Sequence, residues 1–173
     1  MITLTTKPDQ TAGTLIGPLG TQVYAVVGFD GSAPALRALD AASRLLNDRS
    51  GGMEIVYVAH LSALAAGADM GGRASAEVLQ SLDDATRELS AEVHAHLRAT
   101  HLRAAAQHWH FQRRDGAIAD QLIAAAEDLS RRHGPGASVV IVVGRSEHGY
   151  HHVLASVPQS LERHAHYPVI TIA

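Results

Sequence analysis

The stretch VYAVVGFDGS, residues 23–32, decides the fold that we predict for this chain. Residues 23–29 form a short apolar run rich in valine, which is typical of a buried strand, and the Asp-Gly-Ser that follows is typical of a turn. A helix is predicted directly afterwards, because small and apolar residues recur at helical spacing from Ala35 to Leu45 and Ser32 stands where a helix cap is expected. A strand that leads into a helix in this way is the building unit of parallel sheets.

The same alternation of strand and helix continues to the end of the chain. Further strands are predicted at residues 53–60, 106–112, 138–143 and 168–173, with helical patterns between them. We therefore predict an α/β fold: a three-layer, Rossmann-like, open parallel sheet of five strands with helices on both faces. The third strand alternates apolar and polar residues and the fifth begins with proline, so both suit edges and favour the order 3-2-1-4-5.

The chain divides into a leader and one domain. Residues 1–21 show neither strand nor helix periodicity and are predicted to be a flexible N-terminal extension, whereas 22–173 form the single folded domain. The leader lacks the basic start and the apolar stretch of a signal peptide. No apolar run is long enough to cross a bilayer, so we expect no membrane association and a cytoplasmic location.

Composition excludes several classes of function. The net charge of -3 provides no broad basic surface, which argues against nucleic acid as a partner. The absence of cysteine excludes a disulfide, a thiolate zinc site and a cysteine nucleophile. The only lysine is Lys7, so a Walker-type phosphate loop is absent. Twelve histidines raise the question of a metal, but no carboxylate pattern completes a site around them and we predict none.

The predicted strand order places a ligand crevice at a defined point. The winding of the sheet reverses between the first and fourth strands, and ligands of such sheets bind at the carboxyl ends of the strands there. The loops at 28–32 and after Gly144 line that crevice. Asp30 is placed to accept hydrogen bonds from a ribose or to join a magnesium ion, but Asp30 and Ser32 also suffice for an Asx turn and a helix cap. Both readings stay open.

Three stretches carry a resemblance to a known family. VVGFDGSAPALRALDAA, ASVVIVVG and ASVPQSLERHAHYPVITIA resemble the universal stress protein family, in which a first strand ends in Asp-Gly-Ser and the chain closes with a serine-capped helix and a strand. The resemblance covers about residues 22–173. It implies the five-stranded sheet of the adenine nucleotide alpha hydrolase type, a regulatory role in the stress response, and frequent dimerisation through the last strand.

The resemblance also implies a nucleotide site, in the subgroup of the family that binds ATP. The adenine base would lie near Val56 or Val58, at the end of the second strand. The cofactor to test is ATP or AMP with Mg²⁺, although the sequence does not establish that any is bound. The cofactor-binding residues so implied are Gly28, Asp30, Val56, Val58, Val143, Gly144, Arg145, Ala155, Ser156 and Val157.

The phosphate loop departs from the pattern of the ATP-binding subgroup, which has glycine, two residues, glycine, nine residues, then glycine with serine or threonine. Gly144 and Ser156 match, but Glu147 replaces the second glycine and Ala155 the third, and the loop is two residues short. A triphosphate is therefore not assumed, and adenosine or a monophosphate would fit the short loop better. Ser156 with Gln159 also forms a capping box that needs no ligand.

The histidines of this loop supply hydrogen-bond donors whose charge changes near neutral pH. One hypothesis is that His148, His151 and His152, with Arg145, replace the missing backbone contacts and make nucleotide binding stronger at pH 6 than at pH 8. The alternative, which we favour, is a solvated polar loop.

Three functions are compatible with these residues: a nucleotide-responsive regulator, an interaction module that has lost the nucleotide, and a hydrolase or nucleotidyl transferase. No nucleophile elbow or core lysine supports an enzyme, and slow ATP hydrolysis would require the short loop still to hold the phosphates. We predict a non-enzymatic regulatory protein of the universal stress type, a dimeric interaction module with a degenerate nucleotide site. The alternative is an ATP- or AMP-binding member with a variant loop.

The last strand suggests how the chain would dimerise. PVITIA, residues 168–173, has no charge or bulge to protect an apolar edge, so we predict a homodimer that pairs these strands across a two-fold axis, with protein partners unknown. The competing interpretation is that the leader folds back and covers this edge.

Overall fold

The computed structural model describes residues 2–5, 22–59, 72–100, 108–145 and 157–173. Within them ten elements follow one another along the chain, and they form one mixed sheet with helices on both faces. Their order is β1 (Ile2–Thr5), β2 (Gln22–Gly28), α1 (Ala33–Leu46), β3 (Ser50–Ala59), α2 (Gly72–Ala99), β4 (Trp109–Asp115), α3 (Ile118–His133), β5 (Ser138–Gly144), α4 (Val157–His164) and β6 (Val169–Ile172).

The sheet confirms the predicted order of the five parallel strands. Its strands lie in the order β1-β6-β5-β2-β3-β4, so that β2 is central, between β3 and β5, and β4 is an edge as predicted. The central strands are buried on both faces because their valines and isoleucines leave no polar side for water.

Two hydrophobic cores cover the two faces of the sheet. On one face α1 and the C-terminal half of α2 pack on the strands, with Leu39 and Val93 completely buried. On the other face α3 and α4 do so, with Leu122 and Leu161 completely buried. The crossovers from β2 through α1 and from β5 through α4 thus lie on opposite faces, which opens a crevice between the ends of β2 and β5.

The leader contributes a sixth strand, which the sequence analysis did not predict. β1 pairs antiparallel with β6, with Ile2 opposite Ile172 and Thr5 opposite Val169. The prediction that the C-terminal strand is an open edge is therefore wrong, because β1 takes up the hydrogen-bonding positions beside it. The competing interpretation, in which the leader covers this edge, describes the structure. The predicted dimer through β6 would require β1 to leave.

Candidate functional site

A hollow lies where the crevice was predicted, at the carboxyl ends of β2 and β5. Its volume is about 340 Å³, within the range of small-molecule sites. Six elements contribute walls: the ends of β2, β3 and β5 and the beginnings of α1, α3 and α4. The lining residues are Gly28, Phe29, Asp30, Ser32, Pro34, Ala35, Val56, Tyr57, Val58, Ile118, Leu122, Val143, Gly144 and Val157.

One side of the hollow is apolar and comes from β3 and α3. Val56 is almost completely buried, whereas Val58, one full pleat further along β3, is half-buried and faces the hollow. These are the two valines near which the family resemblance implies an adenine base, and both line the hollow. Ile118 and Leu122, one turn apart at the start of α3, close this side, since their helix packs on this face of the sheet and begins near the carboxyl ends of the strands.

The opposite wall is a tight turn between β2 and α1. The Ser32 N–H donates a hydrogen bond to Asp30 Oδ1 at 3.0 Å, and Gly31 has a φ of 79°, a conformation that favours glycine. Ser32 Oγ accepts a hydrogen bond from the Ala35 N–H at 3.3 Å and caps α1. The Asx turn and the helix cap, which the sequence analysis gave as the alternative to a ligand role for Asp30, are thus both present.

The turn leaves Asp30 able to bind a ligand as well. Asp30 is exposed and lines the hollow, and a carboxylate has two oxygens that together accept about four hydrogen bonds. Its bond to the Ser32 N–H fixes the direction of the carboxylate rather than exhausting it. Asp30 is the one acidic group among the described lining residues, and no group of three metal-ligating side chains occurs in the described parts of the chain.

Gly144 ends β5 where the start of α1 crosses it. A Cβ atom at this position would lie 2.4 Å from the carbonyl carbon and oxygen of Pro34 and 2.7 Å from its Cβ. Gly28 is tight as well, since a Cβ there would lie 3.2 Å from Val143 Cγ1. The packing of α1 on the sheet is therefore a sufficient reason for glycine at 144, with or without a ligand.

The remaining predicted site residues divide into two groups. Val143 and Val157 line the hollow, whereas Arg145 is exposed just beyond it and uses its N–H to donate to the carbonyl of Ile172 at 2.7 Å. Arg145 is not among the lining residues in the described part of the chain. Ala155 and Ser156, with the histidines of the same loop, lie outside the described residues, so their roles stay predictions.

Sequence reasoning missed several walls of the hollow. Pro34, Tyr57, Ile118 and Leu122 line it without having been proposed as site residues. A signal existed for the α3 pair, because the helical stripe of that segment begins with Ile118 and the start of a helix after a parallel strand lies at the carboxyl end of the sheet. Pro34 carried no such signal, since proline in a first turn is explained by the helix alone.

The charged groups on the same face of β3, beginning at Glu54 closer to its amino end, are paired among themselves. Glu54 is 3% exposed and lies 3.5 Å from Arg132 and 3.6 Å from Arg114, and the amide of Gln112 donates to it. Arg114 also donates to Asp128 at 2.6 Å. This hydrogen bond holds the pKa of the Asp128 carboxyl below its ordinary value, against the opposing effect of burial. The network joins β3, β4 and α3, and its residues are not among the described residues that line the hollow.

Known proteins resemble this chain over most of its length. The model of the universal stress protein family matches residues 25–173. No curated protein matches the sequence. The described helices include none that is long and apolar enough to span a membrane.

Solved structures share the fold. The universal stress protein UspA from Lactobacillus plantarum is 21% identical with a TM-score of 0.57, and the match covers 87% of this chain and 97% of that one. A universal stress family protein from Burkholderia pseudomallei is 25% identical with a TM-score of 0.59, covering 90% and 98%. A universal stress protein in complex with cAMP is 22% identical with a TM-score of 0.55, covering 86% and 94%.

Proposed function

The chain belongs to the universal stress protein family, and from that premise we propose that it is a non-enzymatic regulatory protein whose crevice binds adenosine or an adenine nucleotide with a single phosphate. The observation that carries this proposal is the hollow between β2 and β5, which combines an apolar side with one carboxylate at its mouth. A purine base suits the valine and leucine side, and a ribose hydroxyl suits Asp30.

The size of the ligand follows from the phosphate loop. The loop after Gly144 is two residues shorter than in the ATP-binding subgroup and has Glu147 in place of a glycine. A carboxylate repels phosphate, so each further phosphate adds repulsion without the backbone donors that would offset it. One family member with this fold was solved in complex with cAMP, a ligand with a single phosphate, which makes this ligand class a reasonable one to test.

A calorimetric titration tests the proposal directly. Nucleotide-stripped protein is titrated with adenosine, AMP, cAMP and ATP, with and without Mg²⁺. We expect AMP to bind in the micromolar range and ATP to bind at least about 10-fold more weakly, which corresponds to 1.4 kcal/mol. No binding of any of these compounds at millimolar concentration would overturn the proposal, and ATP binding as tightly as AMP would overturn its limit to one phosphate.

Two variants assign the contact. Asp30→Ala removes the proposed ribose acceptor, and the loss of hydrogen bonds to a charged group should weaken AMP binding by about 10- to 100-fold. Ser32→Ala is the control in the same segment, because it removes the hydroxyl that caps α1 but keeps both the carboxylate and the N–H that donates to it. Equal weakening by both variants would mean that the geometry of this segment, and not the carboxylate, matters for binding.

The second candidate is an interaction module without a nucleotide. It is favoured by the finding that Asp30, Ser32 and Gly144 each have a structural role of their own in the turn, the cap and the packing of α1. A protein that had lost its ligand would keep these residues for the fold. The same titration separates the candidates, since this one predicts no heat and an unchanged melting temperature with every nucleotide.

A further inference from the structure

β1 resembles, in sequence and in placement, the strand that a second molecule would supply. It reads Ile-Thr-Leu at 2–4, and β6 reads Ile-Thr-Ile at 170–172. In the structure Ile2 lies opposite Ile172, Thr3 opposite Thr171 and Leu4 opposite Ile170. We propose that β1 is an intrachain substitute for the β6 strand of a second copy, and that it keeps the chain monomeric until it is displaced.

The register supports this inference. Two β6 strands related by a two-fold axis must pair antiparallel, as β1 and β6 do. If the axis passes at Thr171, each Thr171 faces its counterpart and each Ile170 faces an Ile172. β1 places a threonine opposite Thr171, an isoleucine opposite Ile172 and a leucine opposite Ile170. Thr171 and Ile172 therefore each face the same residue type in β1 as in the dimer, and Ile170 faces a leucine in place of an isoleucine.

The hydrogen bonds on the inner side of β6 identify which groups face β1. The Ile141 N–H donates to the Pro168 carbonyl at 2.9 Å, and the Arg145 N–H donates to the Ile172 carbonyl at 2.7 Å. Backbone groups alternate sides along a strand, so Thr171 directs its N–H and carbonyl outward, to β1. Thr3, which lies opposite Thr171, and by the same alternation Thr5, then direct their N–H groups toward β6. The N–H groups of Ile2 and Leu4 point away from β6.

The length of the leader lets β1 act as a competitor. Sixteen residues, 6–21, separate β1 from β2. β1 and β2 are three strand spacings apart, about 14 Å, whereas 16 residues can span about 50 Å when extended. A tethered strand of this kind competes at an effective concentration in the millimolar range. A second copy present at micromolar concentration therefore does not displace it, but would pair with β6 once β1 is disabled.

Light scattering on the 173-residue chain tests this inference, which does not rest on the proposed nucleotide site. The wild type at about 50 µM should have the monomer mass of 18.3 kDa. The variant Thr3→Pro/Thr5→Pro loses the two donors that face β6 and should double in mass. The matched control Ile2→Pro/Leu4→Pro loses only donors that face away, positions where an edge strand tolerates proline, and should stay monomeric.

A third variant locates the contact. Adding Thr171→Pro to Thr3→Pro/Thr5→Pro removes the outward N–H of Thr171, at the centre of the proposed contact, without touching the bonds of β6 to β5, and should restore the monomer mass. Circular dichroism checks that each variant is folded. The inference is overturned if Thr3→Pro/Thr5→Pro remains a monomer, if the control dimerises equally, if Thr171→Pro leaves the dimer intact, or if the wild type is already a dimer.

Discussion

Replacing Gly144 by alanine would show whether the glycine that ends β5 serves the fold. The added Cβ would lie 2.4 Å from two backbone atoms of Pro34, where ordinary contacts begin near 3.4 Å. The first turn of α1 or the end of β5 would therefore have to move by about 1 Å. Neither can do so by rotating a side chain, because the atoms in the way belong to the backbone of α1.

The size of the effect follows from this displacement. Overpacking that shifts backbone costs about 1–3 kcal/mol, and α1 also carries Leu39 and Ala42, which are completely buried in one of the two cores. We expect the free energy of unfolding to fall by about 2 kcal/mol. With a urea dependence of about 2 kcal/mol per molar, the midpoint of unfolding should fall by about 1 M.

Urea unfolding of the nucleotide-free protein is the assay, with Gly136→Ala as the control. A Cβ at Gly136 would meet nothing within 4 Å, and this glycine does not have a positive φ. Its replacement should leave the midpoint unchanged or raise it slightly. A Gly144→Ala protein as stable as the control would refute the packing role, and the glycine would then have to be explained by the ligand.

Two further predictions concern the cap and the charge network. Ser32→Ala should lower the free energy of unfolding by about 1 kcal/mol, because α1 loses its cap. The control Ser50→Ala, at an exposed serine, should change it by less than about 0.5 kcal/mol. Equal losses in the two variants would contradict the capping role. Arg114 lowers the pKa of Asp128 in the folded protein. The ionised Asp128 carboxylate therefore stabilises the fold above the ordinary carboxyl pKa of 3.8, and this contribution is lost as the pH falls through the folded-state pKa. The stability difference between wild type and Asp128→Asn should therefore stay constant from about pH 8 to 5 and shrink below about pH 4, and a difference unchanged at pH 3 in acid unfolding experiments would contradict it.

The order of the sheet was predictable because its central strands are unambiguous. Residues 138–143 are apolar on both faces, and such a run fits only a strand covered by helices on both sides. Right-handed crossovers then leave few arrangements. The position of the crevice follows from that order without any knowledge of its residues, and Asp30 lies beside the hollow there. Val56 and Val58 also line the hollow, but they were named only because of the resemblance to the universal stress protein family.

The boundaries of the strands were less predictable where glycine allows two strands to approach each other closely. β3 begins at Ser50, three residues before the predicted start, and includes Gly51 and Gly52. A sequence reading treats this pair as the end of a turn. In the structure a Cβ at Gly51 would lie 1.7 Å from the Val23 carbonyl oxygen, so glycine is required for β3 to pair with β2 there. The demand comes from a residue that is remote in sequence.

β1 shows the same limit more strongly. Ile2–Thr5 does alternate apolar and polar residues, but over only four residues, which is the minimum length for such a signal. What makes this segment a strand is the unprotected edge of β6 at the far end of the chain. Comparing the two termini with each other, rather than each with a general pattern, would have revealed the shared Ile-Thr dipeptide.

The residues that mark the family in this chain are poor markers of a ligand. Asp30, Ser32 and Gly144 are each explained by a local hydrogen bond or a backbone contact, so the fold would retain them after a nucleotide was lost. Val58 is more informative, because it packs against one core and yet keeps part of its apolar surface exposed to the hollow. An apolar wall left beside a single carboxylate is what a bound nucleoside would cover. This is why the shape of the crevice, rather than the motif around it, favours a ligand.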